Sequence, residues 1–258
     1  MKCIILAAGD ATRLYPLTKN FPKSLIEVKD KSIMEWLLDD LKDTNLIDEV
    51  IIVSNHKFYN LFMEWKNKIN NKYNNMNIYI LDDGSTDNEN RLGAVKDIAF
   101  AISKCNMKSE MLESDGLLVL AGDNLLDFSF KGFIEFYLEK RKTCIMRYNE
   151  QDIEKLKRTG VVTIDENGKV KKMSEKPQKP ESNWAVPPFY IYNKKDLNII
   201  EESVNNPFLN LDAPGNFIEE FCKNNIVYAY EMPGKRYDIG NYESLNNVQN
   251  EYNGIINN

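Results

Sequence analysis

The sequence predicts an α/β protein with a largely parallel sheet flanked by helices, followed by a smaller, β-rich part. Three observations carry this. Short apolar runs of strand length alternate with segments whose apolar residues recur at helical spacing through the first half, the pattern of stacked β-α-β units. The opening run, Cys3-Ile-Ile-Leu-Ala, reads as a buried strand that breaks at a glycine. The 258 residues, 43% hydrophobic and 28% charged, can bury a large core as one domain or as a domain with a small annex.

Taken in order, strands are predicted over Lys2 to Ala7, Glu49 to Ser54, Asn77 to Leu81, Gly116 to Ala121 and Thr143 to Arg147. Helices are predicted from Ser32, over Lys57 to Ile69 and over Gly93 to Ile102, with Ser32 and Glu35 forming a capping box at the first. In the second half Asn167-Gly168 lies between β-type runs and signals a hairpin. Glu175-Lys-Pro-Gln-Lys-Pro cannot be helical, and an aromatic strand follows over Trp184 to Tyr192. Helices at Lys195 to Val204 and Ala213 to Cys222, a strand at Ile226 to Glu231 and a last helix from Tyr242 complete the pattern. Residues 253–258 read as frayed.

Composition removes several classes of function. A net charge of -6 argues against a general nucleic-acid surface, which needs a surplus of Lys and Arg, so any phosphate site must be local. Cys3, Cys105, Cys144 and Cys222 are scattered and His56 is the sole histidine, so neither a zinc site nor a disulfide framework is suggested. The N-terminal apolar run is too short for a secretory core, and no stretch reaches the ~20 apolar residues of a membrane span. A cytoplasmic protein that binds no membrane is expected.

The most informative stretch runs from Ile5 to Lys23, through Leu-Ala-Ala-Gly-Asp-Ala-Thr-Arg-Leu-Tyr-Pro-Leu-Thr. It follows the first strand, and parallel sheets bind ligands beyond the carboxyl ends of their strands. Gly9 lets the backbone approach an anion, and successive N–H groups there can cradle phosphate oxygens. Arg13 adds a planar, permanently charged fork and Lys23 a mobile point charge. Neither the P-loop ending nor the three-glycine dinucleotide fingerprint is present. Taken singly, Gly9 and Arg13 also suit a tight turn with solvated cations, and that reading stays open.

The whole stretch, with Pro22-Lys23, resembles the signature of the sugar-1-phosphate nucleotidyltransferases, the group that includes glucose-1-phosphate thymidylyltransferase. The likeness continues in order at Leu92-Gly-Ala, Gly122-Asp-Asn, Glu175-Lys-Pro, Ser182-Asn-Trp-Ala-Val and Asp238-Ile-Gly. It implies a Rossmann-like sheet and a reaction in which a sugar-1-phosphate oxygen attacks the α-phosphorus of dTTP, UTP or CTP, yielding an NDP-sugar and pyrophosphate. It also implies one nucleotidyltransferase domain, with a nucleotide-binding part over about residues 1–148 and a sugar-phosphate-binding part over about 149–258.

By this resemblance Arg13 would hold the leaving pyrophosphate, Lys23 the phosphates at the reacting centre, and Lys176 the phosphate of the incoming sugar. Leu6, Ala8, Gly9, Asp10, Ala11, Thr12 and Gly93 would bind the nucleotide. Glu175, Lys176 and Val186 would bind the sugar phosphate. Asp123, which ends an apolar strand, and Asp238, in a loop after another, would hold Mg²⁺, since one or two carboxylates plus substrate phosphates make a typical site for it. Each Asp alone also suits a cap or turn. No general base is needed, because a sugar phosphate is already an anion. His56 is accordingly expected in a loop or capping role, and Arg91 either reaches a phosphate or braces an acidic loop.

Three departures from the family pattern stand out, and one matching position is ambiguous. Ala11 replaces a glycine, which it can do only with a negative φ. Asp82 or Asp83 falls where a thymidylyltransferase has glutamine, which leaves the base open. Pro188 removes a backbone donor from the sugar-pocket stretch. Asp212, which the family can use as a sugar contact, precedes Ala-Pro-Gly as an ordinary helix start would, and the cap reading is preferred. Two further readings stay open: a cytidylyltransferase for a small phosphorylated alcohol such as phosphocholine, and a non-catalytic sensor of nucleotide or sugar phosphate. Family members assemble as dimers or tetramers, so a homo-oligomer is expected.

Overall fold

The predicted alternation of strands and helices is realised in the computed structural model, which describes residues 1–107 and 116–256. In chain order the first elements are β1 (Lys2–Leu6), β2 (Glu27–Val28), β3 (Lys31–Ser32), α1 (Ile33–Asp43), β4 (Glu49–Ser54), α2 (His56–Ile69), β5 (Asn77–Asp82) and α3 (Ala94–Lys104). Next come β6 (Gly116–Ala121), β7 (Asn124–Leu126), α4 (Lys131–Lys140), β8 (Thr143–Asn149), α5 (Ile153–Leu156), β9 (Gly160–Ile164) and β10 (Val170–Glu175). The last are β11 (Trp184–Val186), β12 (Phe189–Asn193), α6 (Leu197–Ser203), α7 (Pro214–Phe221), β13 (Val227–Glu231), β14 (Arg236–Asp238) and α8 (Tyr242–Glu251). The expected fraying of 253–258 lies partly outside the described residues.

Two compact units share these elements: Met1–Arg91, Ala121–Gly132 and Pro233–Asn258 form the first, and Leu92–Leu120 with Phe133–Met232 the second. The units interleave along the chain, whereas the expected division of roles near residue 148 is linear. In the first unit β1, β4 and β5 are parallel, with Leu6 opposite Val53 and Val53 opposite Leu81, so their carboxyl ends share one edge. Central strands here are apolar on both faces; Ile4, Ile5, Val50, Ile51 and Ile52 are fully buried. The short strands β7 and β14 pair antiparallel, with Asp238 opposite Asn124.

In the second unit β12 lies antiparallel between β6 and β8, and β11, β9 and β10 extend the sheet antiparallel. β13 runs parallel to β8. The chain is thus mixed α/β: β1, β4 and β5 pair in parallel as predicted, whereas β6 and β8 have β12 antiparallel between them.

Differences from the sequence reading have local causes. The aromatic strand predicted over Trp184 to Tyr192 is two strands, because Pro187 and Pro188 cannot donate to a ladder. α2 begins at His56, because Asn55 accepts from the Phe58 N–H at 2.9 Å and is the N-cap. His56, expected in a loop or capping role, is instead the first residue of the helix that Asn55 caps. The helix expected from Lys195 starts at Leu197, after a 3₁₀ turn over Lys194–Asp196. α7 starts at Pro214 behind Ala213, with no side-chain cap, so Asp212 is not the cap that its proximity to proline suggested. The Ser32–Glu35 capping box and the β9–β10 hairpin are present as expected.

Candidate functional site

Arg13, Lys23, Asp123 and Asp238 all belong to the first unit, and one apolar cluster anchors the segments that carry them. Leu14 follows Arg13, Leu125 follows Asp123 at two residues, and Ile239 follows Asp238; all three are buried together with Ile26, Ile33, Leu245, Val248 and Tyr252. Arg13, Asp123 and Asp238 are therefore each within two residues of a side chain fixed in the core, which sets their position without their own burial, while Lys23 is itself buried.

Gly122 brings the chain onto β1. Its N–H donates to the Leu6 carbonyl at 2.9 Å, and a Cβ there would meet Ile5 Cγ2 at 2.8 Å and the Leu6 carbonyl oxygen at 3.2 Å. Asp123 is the next residue. Its Oδ1 accepts from Asn124 Nδ2 at 2.7 Å, and Arg236 Nη1 donates to Asn124 Oδ1 at 2.8 Å. The β7–β14 ladder then carries Asp238 to the same place.

Lys23 completes the cluster. It opens a 3₁₀ turn behind Pro22, and its buried side chain places Nζ 2.7 Å from Asp123 Oδ2 and 3.7 Å from Asp238 Oδ1. Both carboxylates remain open to solvent, at 42% and 54% exposure. Two carboxylates within reach of one cation, with free faces for phosphate oxygens and water, fit the donor set that Mg²⁺ takes. Among the described residues no group of three or more His, Cys, Asp or Glu is gathered, so phosphates would have to supply the remaining ligands.

The signature loop leaves the same edge. Gly9 is exposed and open, and Thr12–Leu14 forms a 3₁₀ turn that leaves Thr12 and Arg13 exposed. Ala11 adopts φ 48° and ψ 47°, so the negative φ expected of it is not found. The Thr18 hydroxyl and the Leu14 N–H, at 2.8 and 3.0 Å, both donate to the Ala11 carbonyl and close the turn over that left-handed residue. Asp10, expected to face the nucleotide, is buried, and its Oδ1 lies 3.2 Å from Lys57 Nζ.

At the ends of β4 and β5, Asp82 Oδ2 lies 2.6 Å from His56 Nδ1 while Asp82 Oδ1 accepts from the Gly84 N–H. Asp83 accepts from the Ser85 N–H and hydroxyl, each at 2.7 Å. This edge presents acceptors, in keeping with the aspartates noted in the sequence.

In the second unit Glu175 ends β10 and Lys176 follows at φ 49°, donating its N–H to Thr159. Glu175 Oε2 rests against Gly215 in the first turn of α7, so close that a Cβ there would come within 1.9 Å of it. Gly160 is equally constrained: a Cβ would meet Met173 Cε at 2.7 Å and Glu175 Oε2 at 3.0 Å. Val186 is buried opposite Gly160, and its carbonyl accepts from the Thr159 hydroxyl at 3.0 Å. The Glu175 N–H donates to Glu219 at 2.9 Å. Burial pushes the Glu175 carboxyl above its ordinary value; Lys176 opposes this, and Glu219 and Asp212 add to it.

Gly93 caps α3 at φ 90° against the Leu211 carbonyl, and the first α3 amides, of Ala94 and Val95, donate to Asp212 and Leu211. Its glycine is thus required by a close backbone approach within the second unit. Lys57, Asn124, Arg236, Gly160 and Gly215 were not singled out beforehand. Gly215 inside a helix start carried a signal, since such a glycine marks close approach; the other four depend on pairings across the fold.

A family profile described as nucleotidyl transferase matches residues 2–254. The chain is 26% identical over 251 residues to a glucose-1-phosphate adenylyltransferase of Clostridioides difficile, with 95% of this chain covered. It is 28% identical over 239 residues, 93% of its length, to the mannose-1-phosphate guanylyltransferase catalytic subunit beta of Drosophila melanogaster. It spans about three-fifths of the length of these relatives, 64% and 59% respectively. A UDP-glucose pyrophosphorylase solved with UDP-glucose has the same fold, with a TM-score of 0.78, 22% identity and 97% of each chain covered. The chain belongs to the nucleotidyl transferase family.

Proposed function

We propose that this protein joins a nucleoside triphosphate to a sugar 1-phosphate, releasing an NDP-sugar and pyrophosphate. The observation that carries the reading is the convergence of Lys23, Asp123 and Asp238 beside a loop that presents Arg13. An oxygen of the sugar phosphate forms the new bond to the α-phosphorus, and the bond from that phosphorus to the bridging oxygen breaks, so the electron pair leaves with pyrophosphate. Lys23 neutralises charge at the phosphates undergoing transfer, and Arg13 holds the departing pyrophosphate bidentately. Lys176 takes the phosphate of the acceptor, and Glu175, fixed by Gly215, takes its hydroxyl groups.

Asp123 and Asp238 would hold Mg²⁺, which when bound offsets the phosphate charge that otherwise repels an anionic nucleophile. dTTP, UTP and CTP are the proposed donors. The adenylyl- and guanylyltransferases among the relatives place ATP and GTP in the same test.

One observation favours a second acceptor class. Glu175 has Asp212 and Glu219 as like-charged neighbours, which suits a cationic acceptor such as phosphocholine. The deciding experiment is a matrix of five triphosphates against sugar 1-phosphates and phosphorylated amino alcohols, read as Mg²⁺-dependent pyrophosphate release. Release with a sugar 1-phosphate is expected. Release only with phosphocholine would establish the second reading, and triphosphate binding without release from any pair would establish a sensor.

A further inference from the structure

We propose that Lys57, in the first turn of α2, is a positioning residue that holds the Ala11–Arg13 turn so that Arg13 faces the triphosphate; this rests on the nucleotidyl-transfer reading above. Arg13 is exposed and its guanidinium has no side-chain partner among the described residues, so its direction is set by the backbone that carries it. That backbone includes Ala11 in the left-handed region, a conformation an alanine keeps only when its surroundings impose it.

The surroundings come largely from the corner where β4 passes into α2. Lys57 Nζ lies 3.2 Å from Asp10 Oδ1 and 6.0 Å from the centroid of the Tyr15 ring. It therefore has a partner in the loop on each side of the turn, an ion pair on one side and a ring at the outer limit of cation–π range on the other. Asn55 Nδ2 adds a third tie, donating to the Ala8 carbonyl at 3.0 Å. Asp10 is 6% exposed and Lys57 is its ion-pair partner, so the carboxylate stays inside only while Lys57 is there. The Phe58 ring, its centroid 4.7 Å from Nζ, limits where the ammonium can go. Removing Lys57 leaves a buried charge that can be hydrated only if the loop opens, and an open loop turns Arg13 away.

The test is a double-mutant cycle with Lys57→Ala, Asp10→Asn and the pair, together with Lys57→Arg, read as KM for each substrate and as triphosphate binding by calorimetry. Lys57→Ala is expected to raise the triphosphate KM and Kd about tenfold with the acceptor KM unchanged, a loss of the size of one charge-assisted contact. Lys57→Arg should restore most of it, and the double variant should be no worse than Lys57→Ala. Additive losses would show that Lys57 meets the triphosphate itself and would overturn the proposal. So would an equal rise in both KM values, or a lowered Tm with unchanged kinetics. A wild type that binds triphosphate without transferring it defeats the proposed reaction, and the binding cycle still decides the role of Lys57. A wild type that binds no triphosphate overturns both.

Discussion

The loop after β1 and the loop after β10 each place a non-glycine residue in the left-handed region, Ala11 at φ 48° and Lys176 at φ 49°, and they use it differently. Ala11 has no functional side chain of its own; its turn aims Arg13 two residues later. At Lys176 the strained residue is itself the cation presented to solvent. Charge is arranged differently as well. In the first unit the acids nearest the signature loop have cations: Asp10 has Lys57, and Asp123 and Asp238 share Lys23. In the second unit Glu175 has Lys176 against two further carboxylates, and burial keeps its pKa raised. The difference suits the two tasks proposed for them. A triphosphate site would have to stay charged and ordered before substrate arrives, whereas an acceptor pocket of carboxylates would wait for a ligand rich in donors.

The largest test of this contrast is removal of the paired acids. Asp123→Asn and Asp238→Asn should each lower kcat/KM on the order of 10²- to 10³-fold, the usual loss when one charge-stabilising group is taken from a transfer site. Asp123 should lose more, because its oxygen is 2.7 Å from Lys23 Nζ against 3.7 Å for Asp238. Both are too exposed to carry the fold, so thermal unfolding should be unchanged within the error of a surface substitution. Near-normal turnover in either folded variant would remove that residue from the centre. Chelation of divalent cations should abolish turnover of the wild type while leaving Tm in place.

Lys176→Ala should have a smaller and one-sided effect. A charge-assisted contact contributes about 1.5–3 kcal/mol, so the acceptor KM should rise about ten- to a hundredfold while the triphosphate KM stays fixed. An unchanged acceptor KM, or a rise in the triphosphate KM instead, would erase the distinction between the two loops.

How much of this was legible in the chain follows from the range of the interactions. Local signals held: the Ser32–Glu35 capping box, the Asn167-Gly168 hairpin and the bounds of β4 and β6 are all written within a few residues of sequence. The candidate site residues Arg13, Lys23, Asp123, Lys176 and Asp238 could be proposed from the chain because they sit in ordered motifs. What brings three of them together could not be. β7 and β14 are three residues long and more than a hundred apart, too short to show periodicity, yet their ladder delivers Asp238 to Asp123. Lys57 was hidden in the same way, since a lysine on a helix surface looks solvated until the fold sets it beside Asp10. Ala11 departs from expectation for a different reason: alanine's steric preference opposes this conformation, and the ties from Thr18 and the α2 corner outweigh it.

Ala11→Gly therefore gives the finest measure of what the first loop costs. An L-residue in this region carries about 1–2 kcal/mol of strain, while glycine adds about 0.5–1 kcal/mol of entropy to the unfolded chain. The net gain should be about 0–1.5 kcal/mol, which in a protein of this size raises Tm by about 3–6 °C at most. Lys57 and Thr18 still hold the glycine variant, so its triphosphate KM should stay within about twofold of wild type; combining it with Lys57→Ala should loosen the loop further than Lys57→Ala alone. A fall in Tm for Ala11→Gly would mean that the loop accommodates Ala11 without strain, and the likeness between Ala11 and Lys176 would then be one of angles only.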